Sequence, residues 1–105
     1  MSDLKVKICG LTRTEDVRCA AEAGADALGF IFAASPRQLS VEQAAALLAS
    51  APSGPLRIGL FMNQEAAFVN AVLAKVELDL LQFHGDEGNA FCSRFGLPFL
   101  KAVSM

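Results

Sequence analysis

Residues 6–32 read VKICGLTRTEDVRCAAEAGADALGFIF, and the alternation of apolar and helix-forming blocks within them decides the fold class. A short apolar run ends on Cys9 and Gly10. A helical pattern follows in TEDVRCAAEAGA, where Thr12 or Thr14 offers a hydroxyl to the orphan amides and Glu15 and Asp16 suit the positive end of the helix dipole. Gly24 fits the left-handed position after the last turn. ALGFIF, at 27–32, is then a nearly continuous apolar run, the pattern of a parallel strand covered on both faces.

The same alternation continues along the chain. The expected strands are LKVKICG (4–10), ALGFIF (27–32), RIGLFM (57–62), LDLLQFH (78–84) and FLKAV (99–103). The second helix opens on SVEQ, in which Ser40 and Gln43 have capping-box spacing, and stops before Pro52. Asn63 is positioned to cap the third helix, QEAAFVNAVLAKV, where Phe68, Val72 and Val76 share a face. In DEGNAFCSRF, Asp86 is the expected cap and Gly96 the stop. The order is βαβαβαβαβ, one unit over residues 1–105, with five parallel strands and four helices. Such an α/β chain is an open doubly wound sheet or part of a (β/α)8 barrel, and helix-to-strand spacing fits both. No GxGxxG or GxxxxGK[ST] follows the first strand, which removes the best sequence support for dinucleotide or P-loop binding.

Composition narrows the function classes. Apolar residues make up 53% of the chain and charged residues 19%, with a net charge of −2. A core is therefore available, and no basic stripe points to nucleic acid. No apolar stretch reaches the roughly 20 residues of a membrane helix, and the N-terminus shows no signal-peptide pattern. Three cysteines (Cys9, Cys19 and Cys92) and one histidine (His84) show no metal-ligand spacing. Free thiols in a reducing cytoplasm are the expectation, and Cys19 and Cys92, inside helical patterns, read as structural.

Four motifs occur in order: KICGLT at the first strand, GADALGFIF at the second, SPR after it and LQFHGDE at the fourth. Together they resemble the phosphoribosylanthranilate isomerase family of tryptophan biosynthesis, and the resemblance covers essentially the whole chain. It implies a (β/α)8-barrel fold and an Amadori rearrangement of N-(5-phosphoribosyl)anthranilate to 1-(2-carboxyphenylamino)-1-deoxyribulose 5-phosphate. It implies no cofactor or metal, because the imine formed on ring opening is itself the electron sink. By resemblance Cys9 is the general base, Arg37 grips the carboxylate of the anthranilate ring, and His84 lines the substrate site.

The residue chemistry agrees with these roles. Catalytic groups of α/β barrels sit at the carboxyl ends of strands, and Cys9 is the last residue before Gly10. Lys7 lies two residues earlier and shares the face of Cys9, where an ammonium favours a thiolate. A guanidinium binds a carboxylate through two parallel hydrogen bonds, which suits Arg37.

A full barrel needs about 200 residues, and the resemblance reaches only the first half of one. The family's general acid, an aspartate on the sixth strand, and its phosphate site, in the loops after strands seven and eight, have no counterpart in these 105 residues. The expectation is a half-barrel that is inactive alone and needs a complementary C-terminal half. The alternative is a non-catalytic half-barrel that binds or assembles. Inward strand faces, expected to carry Ile or Val, Leu, Phe and Met, would lack partners, so the chain should form homo-oligomers.

Overall fold

The computed structural model describes residues 6–101. Strands β1 (Lys7–Cys9), β2 (Ala27–Ile31), β3 (Leu56–Phe61), β4 (Leu80–Phe83) and β5 (Phe99–Lys101) alternate with helices α1 (Thr14–Glu22), α2 (Val41–Ala49), α3 (Ala66–Lys75) and α4 (Asn89–Ser93). Residues 4, 5, 102 and 103, expected in strands, lie outside the described residues. All strand pairs are parallel and the sheet order is β1-β2-β3-β4-β5. An open flavodoxin-like sheet would run 2-1-3-4-5, so the order selects the barrel architecture.

The two faces of the sheet differ in kind. Leu28, Phe30, Phe61, Leu81 and Phe83 point to one side and pack with Val17 and Ala20 of α1, Leu47 and Leu48 of α2, Val69 and Val72 of α3 and Cys92 of α4. All four helices thus contribute to one layer on one face. The opposite face carries a small aliphatic cluster, Ala27, Ile58 and Leu60 with Ile31 and Leu80 against it, and no helix residue. Its side chains align in rows across the sheet: Cys9, Gly29, Ile58 and Leu80 are paired in register, as are Ile31, Leu60, Gln82 and Leu100. Such rows are the layers that fill a barrel interior.

The phenylalanines correct one expectation. Phe was expected to be among the residues lining the barrel interior, but all eight lie in the helix-side layer. Phe32, Phe61, Phe83 and Phe99 form a ladder across successive strands, with ring centroids 5.2, 5.9 and 6.3 Å apart. Strand alternation explains the placement: Phe32 shares its parity with Leu28, Phe83 with Leu81, and Phe61 has the parity opposite to Ile58 and Leu60 of the other face.

Helix ends divide between agreement and correction. Ser40 and Gln43 form the reciprocal capping box of α2, the Ser40 hydroxyl accepting from Gln43 N–H at 3.1 Å. Gly24 adopts φ +93 just past α1. Neither threonine caps α1: its N-cap is Arg13, which makes no capping bond, and Thr14 is already helical. The Arg13 guanidinium instead holds Glu15 at 2.6 Å on the exposed first turn. Asn63 does not cap α3, whose N-cap is Glu65. Asp86 does not cap α4, whose N-cap is Gly88. Both residues sit two positions too early and are engaged in loop contacts described below. Cys92 is fully buried, but Cys19 is exposed on α1, which corrects its reading as a packed residue.

Candidate active site at the carboxyl ends of the strands

Cys9 ends β1 with its thiol exposed on the helix-free face. Its register partner is Gly29, where a Cβ would stand 2.8 Å from the Cys9 sulfur. Only glycine leaves the thiol its seat. The next residue, Gly10, turns the chain at φ +79. Arg37 arches over it, so that a Cβ at Gly10 would meet Arg37 Cδ at 2.7 Å and Nη1 at 3.1 Å. The residue after the thiol thus forms the floor beneath the guanidinium.

Arg37 comes from the β2–α2 loop. Ser35 folds this loop back, its hydroxyl accepting from Arg37 N–H and its carbonyl from Gln38 N–H, each at 3.1 Å. Gln38 and Gln64 both donate side-chain amides to the carbonyl of Phe32. The loops after β2 and β3 are therefore tied at one point. Among the described residues Arg37 has no carboxylate partner.

His84 follows β4, and its backbone N–H continues the ladder to Phe61 O at 2.9 Å. Its ring lines a hollow of about 210 Å³ with Ile31, Ala33, Ala34, Ser35, Leu60 and Met62. The ring nitrogen Nε2 is buried without a hydrogen-bond partner among the described residues. Ser35 thus borders His84 on one side and holds the Arg37 loop on the other. Lys7 lies on the same face, and its ammonium crosses the sheet to Gln82 Oε1.

Sequence reasoning missed Gln82 and Gly29. Gln82 was available, because it precedes His84 by two residues and so shares its face. Gly29 needed the strand register. A larger hollow, about 370 Å³, is lined by Ser53, Gly54, Pro55, Leu56, Arg57, Glu77 and Asp79. It sits at the amino ends of the strands, opposite the end where α/β barrels bind their ligands, and contains none of the expected site residues.

Residues 6–105 match the family described as N-(5'-phosphoribosyl)anthranilate (PRA) isomerase. The chain belongs to the phosphoribosylanthranilate isomerase family. Among similar curated proteins, the N-(5'-phosphoribosyl)anthranilate isomerase of Thiobacillus denitrificans is 54% identical over 101 residues, 95% of this chain and 49% of that protein. Among solved structures, a phosphoribosylanthranilate isomerase in complex with reduced 1-(o-carboxyphenylamino)-1-deoxyribulose 5-phosphate superposes with a TM-score of 0.89 at 37% identity, covering 95% of this chain and 53% of that one. The phosphoribosylanthranilate isomerase of Thermus thermophilus gives a TM-score of 0.87 at 35% identity, over 97% and 52% of the two chains. The chain thus spans about half the length of the isomerases it matches. Its five strands and four helices correspond to half of their (β/α)8 barrel. Among the described residues no helix is long and apolar enough to cross a membrane.

Proposed function

We propose that this chain carries the general base and the carboxylate clamp of a phosphoribosylanthranilate isomerase. The observation that carries the reading is the meeting of Cys9 and Arg37 across Gly10. In the proposed reaction a general acid protonates the ring oxygen of the phosphoribosyl group, and the C1–O bond breaks to give an imine. Cys9, as thiolate, takes the proton from C2. The electron pair moves into the C1–C2 bond, reducing the imine to an enolamine, which relaxes to the C2 ketone. Arg37 holds the carboxylate of the anthranilate ring, a group also present in the ligand of the solved relative. His84 lines the substrate hollow, and Lys7 supplies positive charge on the face of the thiol.

The acid and the phosphate grip come from strands six to eight, so the partner is a complementary C-terminal half-barrel, and the 105-residue chain assayed alone has negligible turnover. General acid–base groups each contribute about 10²–10⁴-fold. The unpaired cysteines support a cytoplasmic, reducing setting. The open inner face and two strand edges support self-association where no second half is present.

The test is isomerase assay of the chain with and without a C-terminal half from a relative. Activity should appear only in the mixture, and Cys9→Ser should lower it by about 100-fold or more. Cys19→Ser, on the exposed face of α1, should leave it unchanged. Equal losses in both variants would overturn the assignment of Cys9. A mixture that assembles yet never turns over would favour the non-catalytic module.

A further inference from the structure

Glu87 is the only charged side chain buried among the described residues, and the proposed chemistry does not use it. Its two carboxylate oxygens serve two different loops. Oε2 accepts from the backbone N–H of Asn63 at 2.6 Å, in the β3–α3 loop. Oε1 accepts from the backbone N–H of Gly85 at 2.9 Å, in the β4–α4 loop. Asn63 answers in the opposite direction, its Oδ1 accepting from Asp86 N–H at 2.8 Å. The fit is close: Asn63 holds φ +56, and a Cβ at Gly85 would collide with its carboxamide. The residues immediately before these two anchor points are Met62 and His84, and both line the hollow.

We propose that Glu87 is a positioning residue, whose carboxylate clasps the β3–α3 and β4–α4 loops and so sets where His84 and Met62 stand at the mouth of the site. The inference rests on the reading of His84 as a substrate-site residue, but its test measures the surroundings of His84, not turnover, so each can fail alone. A carboxylate suits the task because both oxygens accept. A glutamine offers one acceptor and would aim an N–H at another N–H.

The experiment uses residue-resolved amide exchange and the ring resonances of His84 in the 105-residue chain, for Glu87→Gln and the native sequence. Exchange at Asn63 or Gly85 should accelerate by about tenfold, the loss of one hydrogen bond. The His84 ring resonances should shift, while exchange at Phe30 and Leu60 in the sheet stays the same. Unchanged His84 resonances beside faster loop exchange would overturn the proposal, as would equal acceleration across the whole sheet. Should Glu87→Gln fail to fold, Asn63→Gly decides. It keeps the positive φ but removes the acceptor for Asp86, and should move the His84 ring with the sheet unaltered. A stationary ring there would sink the idea.

Discussion

At the scale of single residues, the three thiols occupy three environments, and chemistry can read each. Cys9 and Cys19 are exposed and Cys92 is buried. A water-soluble maleimide should therefore label two sites quickly in the native chain and the third only on unfolding, as peptide mass mapping would record. Rapid labelling of Cys92 would show that the helix-side layer is open. Burial also raises the pKa of the Cys92 thiol above its ordinary value. The unfolded thiol ionises near pH 8.5, so above that pH the unfolded chain binds fewer protons than the folded one. Stability therefore falls as pH rises from there toward the folded value. Cys92→Ala should be less stable than the native chain at about pH 7, and the gap in urea midpoint should narrow by about pH 9.5. A constant gap would contradict this. Cys9, Arg37 and His84 were legible as candidates because each stands in a local motif. Gly29 and Glu87 matter through partners 20 and 24 residues away, and no local pattern encodes those meetings. The face of Gln82 was legible beside His84, but its bond to Lys7, 75 residues away, was not.

At the scale of elements, local signals succeeded where nothing competed for the side chain. Ser40 and Gln43 bond only each other's backbone, and the capping box stands as the sequence spells it. Ser40→Ala should cost about 1 kcal/mol in urea unfolding, because the Gln43 N–H at the start of α2 loses its acceptor. Asp86→Ala, at the position first read as a cap, should change stability by less than about 0.5 kcal/mol, since its side chain caps nothing. A loss equal to that of Ser40→Ala would restore it as a cap. Asn63 fails as a cap for a different reason. Its side chain is drawn to the neighbouring loop, and that tertiary bond outweighs the local preference. The bounds of β2, β3 and β4 were legible to within one or two residues from their apolar runs. The direction in which the phenylalanines point was not, because a continuous apolar run hides its own parity.

At the scale of the molecule, strand order and one-sided helices together make the barrel segment. The sequence read alone left an open sheet available, because nothing in a run such as RIGLFM says whether helices cover one face or two. The structure also shows what the half-barrel leaves uncovered. Leu56, Met62 and Leu100 are each about half exposed on the helix-free face, and β1 and β5 are the sheet edges. Wetting each large apolar side chain forgoes about 1.5–3 kcal/mol, and open edges invite further pairing. The 105-residue chain should therefore sediment as a dimer or larger species at micromolar concentration. A C-terminal half added in excess should replace that species with a one-to-one complex. A single monomer with no dye-accessible apolar surface would refute the expectation.

The two clusters on opposite faces of the sheet also divide the labour of the sequence. The helices pack on an aromatic layer, while the face that carries the proposed site is built from aliphatic side chains, a few polar groups and glycine. A protein engineer inherits that partition. The inner rows can be rewritten without disturbing the phenylalanine ladder on the other side of the strands.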